Sequence, residues 1–282
     1  MSFLQIVILA IVQGMAELLP VSSSAHVIVA EKLMGLDPTR PERTLLLVML
    51  HTGTMFAVIC YFWNTWKTEF GRSGRAARTY LKNLVLASFL TGVVGLGLKQ
   101  VIEKVALKDV PHAEIEMIFG NLTLISASLA VVGGLILYSG LRTRRTGDGR
   151  RDLDRAGACW MGAIQGLCLP FRGFSRSGST ISVGLILGLS RKRVEAFSFA
   201  LAVVLTPPVI AREVWRLLRS RPEGGLLHLF GPSLLGMVLA FGAGLLALRW
   251  LSTWLERGRW HVFGTYCICV SMVTFVLSWS GM

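Results

Sequence analysis

Gln13-Gly14-Met15-Ala16-Glu17-Leu18-Leu19-Pro20-Val21-Ser22-Ser23-Ser24-Ala25-His26 puts a proline, three serines and two ionisable side chains into an otherwise apolar stretch. Before it, residues 3 to 19 are apolar apart from Gln5, Gln13 and Glu17. Pro20 should stop that helix, because the residue before a proline is pushed out of the α region. The serines are good helix caps, and a second short apolar helix should run from them to about Gly35. A membrane span needs about 20 apolar residues to cross roughly 30 Å of hydrocarbon. Neither half comfortably reaches that length, so residues 2–36 read as a re-entrant helical hairpin broken at a polar point.

Outward from this hairpin the chain alternates apolar and basic. Spans are expected at about 44–63, 83–98 and 115–141, separated by the basic segment Lys67 to Lys82 and a mixed loop from Lys99 to Glu114. These complete a first repeat, residues 1–141, followed by the basic loop 142–155. The second half, 156–282, uses the same plan. Ala163-Ile164-Gln165-Gly166 echoes Ile11-Val12-Gln13-Gly14, and a second polar break follows, Gly173-Phe174-Ser175-Arg176-Ser177-Gly178-Ser179-Thr180. A hairpin over about 156–190 and spans at about 195–214, 226–250 and 261–279 are expected, with Pro207-Pro208 kinking one of them. With the basic segments Lys67 to Lys82 and Arg142 to Arg155 placed in the cytoplasm, counting backward puts both ends of the first hairpin outside, whereas Arg155 and Arg191-Lys192-Arg193 bracket the second. The positive-inside rule then has the two hairpins enter from opposite sides, with the N-terminus and the site's opening periplasmic. It leaves the basic stretch Arg212, Arg216, Arg219 and Arg221 outside. The expected fold is an all-α polytopic membrane protein, an inverted repeat in which each half is one re-entrant hairpin plus three transmembrane helices.

Composition agrees. Of 282 residues, 53% are hydrophobic and 16% charged, with a mean hydropathy of +0.60, outside the range of ordinary soluble domains. The net charge of +13 does not indicate nucleic acid, because the basic residues sit in loops between spans, where lipid headgroups account for them. Cys60, Cys159, Cys168, Cys267 and Cys269 show neither zinc nor redox spacing and read as small packing residues, with a disulfide left open. The first residues lack the charge and cleavage pattern of a removable signal peptide.

Irregular backbone at membrane depth survives only where protein buries it or it lines a wet cavity, so two such breaks mark a site and should meet near the midplane. Intramembrane ionisable groups are functional by default, and Glu17, His26 and Arg176 are such groups. Ser22, Ser23 and Ser24 open a helix whose N–H groups and dipole favour an anion, phosphate above all. Ser23 and His26 are three apart and share a helix face, so the imidazole can exchange a proton where the serine acts. Glu17 can orient the histidine or help hold Mg²⁺ or Ca²⁺. Arg176 would clamp phosphate oxygens. Ser175, Ser177, Gly178 and Thr180 add hydroxyls and a close backbone approach. Plainer readings stand beside these: the serines as caps, His26 as a satisfied core residue, Glu17 and Arg176 as a structural ion pair. Arg172 is either a further phosphate contact or a solvated flank. His51 reads as a packed or hydrogen-bonding residue of its span, and His112, His228 and His261 as loop or interface residues.

At these positions the sequence resembles the undecaprenyl-diphosphate phosphatase family, the bacitracin-resistance proteins of bacterial inner membranes. The resemblance rests on residues 13–26 as quoted, on Leu50-His51-Thr52-Gly53-Thr54, on Gly173-Phe174-Ser175-Arg176-Ser177-Gly178 and on Phe197-Ser198-Phe199, in family order. It implies hydrolysis of the polyprenyl diphosphate lipid to undecaprenyl phosphate and inorganic phosphate, recycling the carrier for peptidoglycan. It also implies a divalent cation, the inverted-repeat fold, and functional roles for Glu17, Ser23, His26 and Arg176. Gln13, with Glu17 a candidate metal contact, holds a position that is Glu or Gln among relatives. Arg172-Gly173 stands where relatives have Pro-Gly, and Leu46-Leu47 where they often have Phe followed by an acid. Expected partners are that lipid and the surrounding membrane lipids, with no nucleic acid; a homodimer is left open. Ser23, His26 or water can be the nucleophile. The principal rival is a lipid-carrier transporter, since broken helices in inverted repeats are also a transporter plan. A lipid phosphatase of the phosphatidic-acid phosphatase type would need a second histidine with a downstream Asp, and no convincing set is present.

Overall fold

The computed structural model describes residues 1–36, 41–71, 73–106, 118–149, 151–220 and 227–279. The mixed loop beyond residue 106, His112, the first residues of the span expected from Ile115, Arg221 and Leu226 lie outside the described residues. Those described form ten α-helices: α1 Phe3–Leu18, α2 Ser23–Leu33, α3 Pro41–Gly71, α4 Gly74–Val101, α5 Leu122–Thr146, α6 Arg155–Cys168, α7 Arg176–Ile186, α8 Arg191–Ser220, α9 Leu227–Glu256 and α10 Trp260–Trp279. A single π turn, Ile102–Ala106, extends α4. Among the described residues the only β-type pairing is an isolated bridge between Arg151 and Leu189.

Local chemistry sets the helix ends. Ser2 and Gln5 form a capping box at the start of α1, satisfying two backbone donors reciprocally. Leu19, ahead of Pro20, is extended with φ −70° and ψ 152°, as a residue before proline must be. Ser73, Asn121, Asp154 and Ser175 cap α4, α5, α6 and α7 with their side chains.

Six helices are long and apolar enough to cross a membrane: α3, α4, α5, α8, α9 and α10. On α4 the residues Val85, Phe89, Val93 and Leu96 point outward, an apolar stripe that a water-facing helix would not carry. The chain is a multi-pass membrane protein. Its helices overrun the hydropathy-based spans: α3 continues to Gly71 and α4 begins at Gly74, so helix occupies most of the expected basic loop Lys67 to Lys82. Arg212, Arg216 and Arg219 likewise belong to α8. Hydropathy marks the lipid-buried part of a helix, whereas Lys, Arg and Glu are good helix formers that carry it on into the interface.

The helices sort into two compact units, each drawing on both ends of the chain. The first comprises residues 1–19, 23–64 and 202–251, the second residues 20–22, 65–201 and 252–282. In the first, Ile6, Leu9 and Ala10 of α1 pack with Val27, Leu46, Leu50 and Ala240. Backbones approach closely there: a Cβ on Gly14 would lie 2.7 Å from the Ala240 carbonyl oxygen, and one on Gly53 would lie 2.2 Å from that of Met237. Small residues thus let α1 and α3 dock on one face of α9, as in other membrane helix pairs. In the second unit Ser126 of α5 and Ser271 of α10 each donate to the other's carbonyl, at 3.0 and 2.7 Å. Thr91 of α4 donates to Gly162 of α6 at 2.9 Å. All five cysteines are free thiols.

Candidate active site

The first polar break is Leu19 to Ser22, between α1 and α2. Ser22 has φ 68°, a left-handed conformation uncommon for a residue with a side chain and one of those that cluster at active sites. Ser22 is buried, and Ser23, Ser24 and His26, all on α2, are half-buried. The strained turn brings Ser23 back to the last turn of α1, where its hydroxyl donates to Glu17 Oε2 at 2.6 Å. That is the length of a hydrogen bond to an ionised carboxylate.

A second donor reaches the same oxygen. Gln13 Nε2, one helical turn earlier and 1% exposed, lies 3.1 Å from Glu17 Oε2 and 3.1 Å from His51 Nδ1 on α3. His51 Nδ1 is itself 3.8 Å from Glu17 Oε2. An amide nitrogen has two hydrogens and the carboxylate can only accept, so Gln13 donates to both neighbours and Nδ1 of His51 is an acceptor. The docking of Gly14 and Gly53 on α9 holds the two partners at this distance.

His51 is the residue that reading the sequence undervalued. It does form a hydrogen bond, as expected, but with Gln13 of α1, which also donates to Glu17, rather than only within its span. The signal was the run His51-Thr52-Gly53-Thr54 inside an apolar helix. Leu46, at one of the two positions where relatives often carry Phe followed by an acid, is buried in the apolar core of α1, α2 and α9.

The second break, Leu169 to Ser175, lies in the second unit. Gly173 has φ 96°, and a Cβ there would lie 2.6 Å from the Ile125 carbonyl oxygen, so only glycine fits. Ser175 caps α7 by accepting from the Gly178 backbone at 3.2 Å, and Arg176 is the first residue of α7. Arg176 is half-buried, whereas Ser175, Ser177, Gly178 and Thr180 are buried. Thr180 Oγ1 lies 2.6 Å from Ser198 Oγ on α8, which ties the break to the Phe197-Ser198-Phe199 motif. Arg172 stacks its guanidinium on the Phe119 ring at 4.4 Å, a cation–π contact that neither sequence reading anticipated.

The donor set bears on the expected cation. Among the described residues no group of three or more His, Cys, Asp or Glu could hold a metal. Around Glu17 there is one carboxylate with neutral oxygen and nitrogen groups. That set suits a hard cation shared with substrate phosphates rather than one caged by protein alone.

The chain matches relatives along its length. It is 53% identical over 99% of both chains to "Undecaprenyl-diphosphatase 2" of Acinetobacter baylyi. It is 34% identical to "Undecaprenyl-diphosphatase" of Desulfosudis oleivorans, covering 99% of this chain and 98% of the relative. It is 31% identical over 94% of both chains to the protein of that name from Thermus thermophilus. The model of the bacitracin resistance protein BacA family matches residues 6–273, a range that contains both polar breaks, His51 and the α8 motif, so the chain belongs to the bacitracin resistance protein BacA family.

Proposed function

We propose that this protein hydrolyses undecaprenyl diphosphate to undecaprenyl phosphate and inorganic phosphate in the bacterial inner membrane, returning the lipid carrier to peptidoglycan synthesis and so conferring bacitracin resistance. Family membership over nearly the whole chain supports the reaction. The observation that carries the mechanism is the Ser23 hydroxyl donating to Glu17 at 2.6 Å, a nucleophile already bonded to its base.

Ser23 Oγ attacks the terminal phosphorus while Glu17 takes its proton. The bond from that phosphorus to the bridging oxygen breaks, and undecaprenyl phosphate leaves with the electron pair. Water then attacks the phosphoserine phosphorus, His26 accepting a proton from it; the bond from phosphorus to Ser23 Oγ breaks, Glu17 returns its proton to Oγ, and inorganic phosphate departs. Arg176 neutralises charge on the transferring phosphoryl oxygens, as arginine clamps do. Ser22 and Ser24 at the start of α2, and Ser175, Ser177, Gly178 and Thr180 at the start of α7, bind the phosphates. Both polar breaks serve this one reaction. Glu17, with Gln13 beside it, would hold Mg²⁺ or Ca²⁺ jointly with the diphosphate, and the cation when bound would offset phosphate charge.

The two hairpins are re-entrant parts of an inverted repeat, with the N-terminus and the site's opening periplasmic. Helix lengths support the re-entrant part of this reading: α1, α2, α6 and α7 have 16, 11, 14 and 11 residues. At a rise of about 1.5 Å per residue even α1 reaches only about 24 Å, short of the hydrocarbon core.

Purified protein in detergent, given undecaprenyl diphosphate, should release inorganic phosphate, and a chelator should suppress the release. Protein that binds the lipid but releases no phosphate with added Mg²⁺ or Ca²⁺ would instead be the lipid-carrier transporter.

A further inference from the structure

The second unit holds a cavity of about 330 Å³ where the ends of α5, α9 and α10 come together, lined by Arg144, Trp254, Arg257, Arg259 and His261 among others. Its volume is at the low end for ligand pockets: room for a headgroup, not for acyl chains. Arg144, Arg257 and Arg259 are exposed, and none of the three guanidinium groups has an acidic partner among the described residues. His261, in the first turn of α10, has a buried Nδ1 with no hydrogen-bond partner. Three arginines without acidic partners, beside an unsatisfied ring nitrogen, call for a ligand that carries acceptor oxygens.

The frame around the cavity is fixed. Arg191 donates to the Glu256 carbonyl at 2.9 Å and reaches the Thr143 carbonyl at 3.5 Å, joining the ends of α9 and α5. Its backbone N–H donates to Asp148 at 3.0 Å, which engages a nearby carboxylate away from the cavity. Gly140 lets α10 start hard against α5, with a Cβ there 2.4 Å from the His261 backbone nitrogen. Trp254, packed on Phe263 at 5.4 Å between ring centroids, supplies the amphipathic ring typical of a membrane interface.

We propose that this cavity binds the phosphate headgroup of an anionic membrane phospholipid, held by Arg144, Arg257, Arg259 and His261, with the acyl chains lying outside along the helices. Guanidinium forks match phosphate oxygens, and the N-terminus of α10 adds its positive dipole end. None of the residues assigned to the reaction lines this cavity, and the proposal needs only that the protein be embedded in a bilayer.

Native mass spectrometry of the full-length protein in neutral detergent, titrated with phosphatidylglycerol, phosphatidylcholine or inorganic phosphate, tests it. One phosphatidylglycerol should be retained in preference to phosphatidylcholine. The combined Arg144→Gln, Arg257→Gln, Arg259→Gln variant should bind it more than about tenfold more weakly while still releasing phosphate from undecaprenyl diphosphate, which shows that it folds. The Arg142→Gln, Arg145→Gln variant removes two charges from the same turn of α5 outside the cavity and should bind as the parent does. Equal losses in the two variants would mean diffuse surface charge and overturn the proposal. So would equal retention of phosphatidylcholine, or inorganic phosphate binding as tightly as the lipid.

Discussion

Ser23 Oγ and Glu17 Oε2 stand 2.6 Å apart across the break between α1 and α2, with Ser22 at φ 68° bending the chain between them. A serine hydroxyl is a weak nucleophile unless a base shares its proton, and this carboxylate is placed to do so. Glu17→Gln should keep the fold and lower kcat by about 10²–10⁴-fold, the usual contribution of a positioned base. Rapid quench with radiolabelled substrate should trap an acid-stable phosphoserine in the parent and none in Ser23→Ala. An acid-labile phosphoenzyme would move the nucleophile to His26. Its complete absence would favour direct attack by water.

Gln13 and His51 act through Glu17, so their loss should appear in kcat more than in KM. Gln13→Ala removes donors to both partners; a hydrogen bond to a charged group is worth about 1.5–3 kcal/mol, or about 10- to 100-fold in kcat. His51 offers a sharper comparison because its Nδ1 accepts from Gln13. Asparagine places an oxygen close to that position, so His51→Asn should retain most of the activity that His51→Leu loses. If the two variants are equally inactive, the histidine is doing more than holding Gln13.

The first break was legible because its signals are local. Pro20 and the serines announce a stop and a restart, and Glu17 and His26 stand out in an apolar context wherever the chain folds. The part played by His51 was not, because it depends on α3 docking on α9 through Gly53, with α1 docking nearby through Gly14. A contact between residues 38 apart in sequence leaves no mark in periodicity. The helices outrun the expected spans for a related reason: hydropathy reports where lipid begins, and a helix can go on into the interface, as α3 and α4 do around Lys67 to Lys82. Arg172 was read as facing phosphate or solvent, since nothing near it in sequence points to Phe119.

Gly53 gives a stability test of that docking. A Cβ there would lie 2.2 Å from the Met237 carbonyl oxygen, which is backbone and cannot turn aside, whereas one on Gly92 of α4 meets nothing within 4 Å. Gly53→Ala should cost about 1–3 kcal/mol, as overpacking does, seen as a thermal midpoint several degrees lower in detergent. Gly92→Ala should be neutral or slightly stabilising, since alanine is the better helix former. Equal behaviour of the two would show that α3 and α9 do not pack this closely in the membrane.

The proposal that both breaks serve one reaction makes a prediction about Ser23 and Arg176 together. If Ser23 delivers the attack that Arg176 stabilises, removing either already forfeits the shared step, and the second loss adds little, as in other groups that act as a unit. Ser23→Ala and Arg176→Ala should each reduce kcat/KM by at least about 10²-fold, and the double variant should be far less impaired than the product of the two. Arg176→Lys keeps the charge but not the planar fork, so it should recover only part of the loss. Multiplicative effects in the double variant would mean that the two residues contribute to separate steps, and the assignment of Arg176 to the transferring phosphoryl group would fail.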